Sequence, residues 1–103
     1  MGAVMRDLTI IWDLPDDANG NVQHVAEHGL TPEEVDDVLR DPAGTAVSET
    51  SGRPAVFGYT KTGRFIMVVF EECDTDVVYP VTAYDVPEKG RRHGKTKRKP
   101  RRP

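Results

Sequence analysis

Apolar and polar positions alternate near the start of the chain: in "DLTIIWD" (Asp7 to Asp13), Leu8, Ile10 and Trp12 fall on one side and Thr9 and Ile11 on the other. A period of two predicts a half-buried strand. "LPDDANGN" (Leu14 to Asn21) breaks the pattern and is rich in loop-forming residues. It is not a calcium loop, because Pro15 stands where an acid or amide is needed and the twelfth position is Ala26 rather than a bidentate Glu. Asn21 is then the expected N-cap of a short helix running to His28, closed by Gly29 in the left-handed conformation. Thr31, Pro32 and Glu34 predict a capping box with proline at the first helical position, and Leu30 is placed to staple onto Val35. The apolar stripe of this second helix is Val35, Val38 and Leu39, and Asp41-Pro42 stops it.

Strand patterns follow over Thr45 to Glu49, Ala55 to Thr60, Arg64 to Glu71 and Val77 to Tyr84. The connections "SGRP", "KTG" and "ECDTD" suit antiparallel hairpins and are too short for crossover helices. "FIMVVF" is apolar on both faces, which predicts the central strand, while Pro80 pushes the last run toward an edge or a bulge. The expected fold is α+β: one antiparallel sheet of four to five strands with two short helices on one face.

At 103 residues, 37% hydrophobic and 30% charged, the chain suits one soluble domain. The longest apolar run, Phe65 to Phe70, is too short to span a bilayer, and Asp7 and Asp13 bracket the apolar stretch nearest the N-terminus, so a cytoplasmic protein is expected. The single Cys73 lies in an acidic turn and is expected to be inert. Charge is distributed unevenly. Residues 1–87 hold five Lys/Arg against sixteen Asp/Glu, a net of −11, and residues 88–103 hold nine against one, a net of +8. This divides the chain into an acidic domain, 1–87, and a basic tail, 88–103, which has no apolar residue to bury and is expected to be disordered alone. Two roles suit such a tail: a polycation for RNA, with Arg91, Arg92, Lys97 and Arg98 as candidate contacts, or a solubilising end that folds back on the acidic body.

"HVAEHG" (His24 to Gly29) sets two histidines four apart, with Glu27 just before the second. Residues at that spacing share a helix face, so three readings arise. A zinc site would need a third ligand held at a distance and a longer helix. A general base is the second, since an imidazole exchanges protons near neutral pH. Helix closure is the third and the favoured one: His28 would sit in the last turn, where a cation suits the helix dipole, and His24 would pack toward the sheet. No metal is expected.

The order "IWD", "NVQHVAEHGLTPEEVDDVLRDP", "GYTKTGRFIMVVF", "YPVTAY" resembles the BrnT family of small bacterial type II toxins over roughly residues 10 to 86. Trp12-Asp13 matches the family's first strand, His28-Gly29 its helix end, Asp41-Pro42 the stop of its second helix, and Gly63-Arg64 the start of its central strand. The resemblance implies a RelE-like fold, a metal-independent endoribonuclease that inhibits translation, and a ribbon-helix-helix antitoxin as partner. Two departures stand out. Thr82-Ala83-Tyr84 replaces a segment where the family commonly has an arginine, and the body is more acidic than is usual in the family.

RNA cleavage through the ribose 2′-OH needs a base, cationic donors at the phosphate and an acid for the leaving oxygen. Arg64, with a planar bidentate donor set, is the first candidate for the phosphate and Lys61 the second, with His28 and Tyr84 as the remaining catalytic candidates. Arg53, Tyr59 and Tyr79 are candidate RNA contacts, the tyrosines because unstacked bases lie on aromatic faces. The plainer alternatives are a solvated hairpin-end charge for Arg64 and amphipathic sheet positions for the tyrosines. Two function classes therefore stay open: a toxin nuclease, and a catalytically silent relative that binds a protein or RNA.

Overall fold

A computed structural model describes residues 7–87. The elements are β1 (Thr9–Ile10), α1 (Asn21–Ala26), α2 (Pro32–Arg40), β2 (Gly44–Val47), β3 (Pro54–Tyr59), β4 (Phe65–Asp74) and β5 (Val77–Asp85). They form a small α+β domain with one five-stranded sheet in the order β1-β5-β4-β3-β2. The run from β2 to β5 is an antiparallel meander, and the "FIMVVF" strand is the middle one of the five, as its apolar pattern predicts. The sheet as a whole is mixed. β1 pairs with β5 in parallel, Thr9 beside Val77 and Ile10 beside Val78, which corrects the expectation of a purely antiparallel sheet. β1 is also only two residues long, although the period-two faces hold: Leu8 is buried and Ile10 and Trp12 pack against the core.

α2 forms as its sequence dictates. The Thr31 hydroxyl accepts from the Glu34 N–H at 3.2 Å, and Glu34 Oε1 accepts from the Thr31 N–H at 3.1 Å, so both halves of the capping box are made. α1 differs from expectation at both ends. Gly20, not Asn21, is its N-cap, and the helix stops at Ala26. Asn21 is buried instead, and its amide works as a clasp: Oδ1 accepts from the Asp13 N–H, and Nδ2 donates to the Ile11 and Pro80 carbonyls. Gly29 is left-handed at φ 76°, and the Leu30 and Gly29 N–H groups return to the Val25 and Ala26 carbonyls to close the turn.

The core lies between the helices and one sheet face: Val25, Leu30, Val35, Val38 and Leu39 meet Val56, Ile66, Val68, Phe70, Val78 and Ala83. Pro80 is fully buried, and the register of β4 and β5 shifts beside it, the bulge that its missing N–H favours. β4 continues past Glu71 to Asp74, through exposed polar residues that carry no hydrophobic signal, and Asp76 at φ 59° turns the chain into β5.

Candidate functional site

Cross-strand partners share a sheet face, so the register sorts the side chains. Val56, Val68 and Ala83 point into the core, while their neighbours Phe57, Met67 and Tyr84, together with Tyr59 and Phe65, line the opposite face. Neither described helix covers that face. Its centre is aromatic: the Phe65 ring lies 4.7 Å from the Tyr59 ring and 5.8 Å from Phe57, and Tyr59 is 58% exposed. Gly44 makes room for Phe57, since a Cβ there would overlap the ring.

Arg64 falls on the helix side of the sheet, at its end. Its guanidinium forks onto Asp85, Nε to Oδ1 at 3.1 Å and Nη2 to Oδ2 at 2.7 Å, while Nη1 donates to the Gly29 carbonyl at 2.6 Å and lies 3.5 Å from Glu34. The paired carboxylate raises the Arg64 pKa, and the same hydrogen bonds hold Asp85 below the usual carboxylate range. Arg64 thus ties the end of α1 to β4 and β5. Around this tie two exposed rings meet, His28 and Tyr84, with centroids 6.1 Å apart. Tyr84 and Asp85 are consecutive in β5, and Arg64 donates to the carbonyl of Gly29 next to His28, so His28, Arg64, Tyr84 and Asp85 form one cluster at the rim of the open face.

The other candidates are dispersed. Lys61 is almost fully exposed, with Nζ 3.9 Å from Asp37 on α2. Arg53 shares the open face but pairs with Glu71 at 2.8 Å, toward the opposite end of the strands. Tyr79 donates its hydroxyl to Asp13 Oδ2 at 2.6 Å; this bond, with burial second, pushes the tyrosine up to about 12 and holds Asp13 below its usual value. His24 is exposed and does not pack toward the sheet, a correction to the expected position. Among the described residues no three His, Cys, Asp or Glu side chains converge to hold a metal. Arg91, Arg92, Lys97 and Arg98, with the expectation of a disordered tail, lie outside the described residues.

Sequence reasoning missed Asp85, Phe57, Phe65 and Met67. Phe65 and Met67 read as core of a two-sided apolar strand, and only the location of both helices on one face leaves them, with Phe57 of the neighbouring strand, uncovered. Asp85 reads as a solvated strand end until the register sets it beside Arg64.

The residues that carry the resemblance mostly wire the fold together. Trp12 Nε1 donates to Asp36 at 3.1 Å, Asp13 clasps Asn21 and Tyr79, and the Gly29 carbonyl receives Arg64. No family model matches the chain, and neither a curated protein nor a solved structure matches it. Among the described residues no helix is long and apolar enough to cross a membrane.

Proposed function

We propose that the chain is a BrnT-like toxin of RelE-like fold, a metal-independent endoribonuclease that blocks translation in the cytoplasm and is neutralised by a ribbon-helix-helix antitoxin. The observation that carries this reading is the cluster of His28, Arg64 and Tyr84 beside an open aromatic face. In this mechanism a base stacks on Tyr59 and the phosphate lies at the rim. His28 takes the proton of the ribose 2′-OH, that oxygen attacks phosphorus to give a 2′,3′-cyclic phosphate, and the Tyr84 hydroxyl gives its proton to the departing 5′-oxygen. Arg64 contributes positive potential from its place beneath the pair, and Lys61, at 90% side-chain exposure, is the second cation.

A second reading, a silent binding module for a protein or RNA, is favoured by one feature: the Arg64 guanidinium is already engaged by Asp85, Gly29 and Glu34. Inducible expression in a bacterial host separates the two. The toxin reading expects wild type to arrest growth and deplete message, with His28→Ala and Tyr84→Phe each lowering cleavage by at least ~10²-fold at equal folded level. Arg64→Ala is a poorer probe, because it also cuts the tie to α1. Normal growth and intact message with folded wild-type protein present overturn the nuclease.

A further inference from the structure

The open part of the face is on the order of 100 Å²: strands ~4.8 Å apart, with about 7 Å of strand from Phe65 to Met67, since Ala55 and Val69 further along the same face are buried. A stable interface between globular partners takes ~800 Å² from each side, so the patch is sized for a single extended segment. Two segments of this chain lie outside the described residues. The first six residues lead into β1, whose Thr9 sits beside Val77, the far end of β5 and ~27 Å of strand away from Asp85. The C-terminal segment leaves at the near end. The Val86 N–H donates to the Phe65 carbonyl at 2.9 Å, so the chain departs beside the ring cluster.

We propose that residues 88–103 dock on the open aromatic face of their own domain, laying Arg and Lys side chains over the rings of Tyr59, Phe65 and Tyr84. The chemistry matches on three counts. The segment has nine Lys/Arg and no apolar side chain, so its attraction to an aromatic face is cation–π. The described residues carry four Lys/Arg against sixteen Asp/Glu, which draws a polycation inward from any direction. Sixteen residues reach ~50 Å when extended, several times the length of the face, and tethering makes the encounter intramolecular. The competing surface is the acidic groove along α2, about 730 Å³, beside Glu33, Glu34, Asp36, Asp37 and Asp41. Three of those carboxylates are already engaged, Glu34 by Thr62, Asp36 by Trp12 and Asp37 by Lys61. The docking stands whether or not the domain cuts RNA.

A nitroxide on Thr96→Cys in the full chain, with Cys73→Ser removing the native thiol, tests it by amide line broadening. At low salt the amides of Phe57, Tyr59, Phe65 and Met67 should lose roughly half or more of their intensity relative to the reduced label. They should recover it at ~1 M salt, where screening acts within ~3 Å. Tyr59→Ser, at an exposed position, should weaken the broadening while leaving the rest of the spectrum in place. Broadening confined to α2, no broadening at all, or broadening seen only between labelled and unlabelled copies in a mixed sample each overturns the proposal.

Discussion

Single side chains in this domain mostly hold distant segments together, and Asp36 shows the cost of doing so. It accepts the Trp12 indole N–H, but burial, aided by nearby Glu33 and Asp37, raises its pKa above the ordinary 3.8. A carboxyl whose folded pKa is raised binds its proton more tightly in the native state. Its favourable contribution is complete below pH 3.8 and is lost as pH rises through the folded value. Asp36→Asn keeps an acceptor for Trp12 and removes the buried charge. It should therefore raise the melting temperature at pH 7 and change it little in acid, as a pH series of thermal unfolding curves would show. Asp13 and Asp85 act in the opposite sense: their lowered values contribute stability above pH 3.8 that disappears as pH falls through them.

At the level of elements, α2 is the part most nearly specified by its own residues. Its capping box spans four positions, Thr31 to Glu34, its stripe spans five, Val35 to Leu39, and both form as the pattern predicts. Thr31→Ala should cost ~1 kcal/mol by leaving the Glu34 N–H without its acceptor, measurable as a shifted denaturation midpoint at unchanged slope. α1 is only six residues long and has no side-chain cap, so local propensity cannot sustain it. It persists through Val25 in the core, the Asn21 clasp to Pro80 and the Arg64 hydrogen bond at Gly29. That difference explains why the boundaries of α2 could be predicted and those of α1 could not. The candidate site divides the same way. Its aromatic, histidine and arginine members are visible as residue types, but Arg64 facing the helices and Tyr84 facing the open side follow from strand register alone.

Over the whole molecule the dominant feature is charge. With four Lys/Arg against sixteen Asp/Glu in residues 7–87, the folded domain repels itself, and compaction brings those charges closer. Raising ionic strength from ~0.01 M to ~0.15 M shortens the screening length from ~30 Å to ~8 Å. The melting temperature of the full chain should rise over that interval if repulsion within the body outweighs its attraction to the tail. Calorimetry at several salt concentrations measures the balance directly. The same excess limits any contact with RNA to the ends of the sheet and to the basic segment, because the remaining surface opposes a polyanion.

From the sequence alone follow the α+β class, the capped second helix, the left-handed Gly29, the hairpin order of the last four strands and the central place of "FIMVVF". Each rests on interactions between residues a few positions apart, which composition and periodicity record. The tertiary structure decided the rest: the parallel pairing of β1 with β5, the burial of Asn21, the Arg64–Asp85 fork and an aromatic face that neither described helix covers. The long-range ones join residues 21 positions apart, as in Arg64 with Asp85, to 68 apart, as in Thr9 with Val77. Their partners are selected by register and by which face the helices cover, and neither is set by any local stretch of chain.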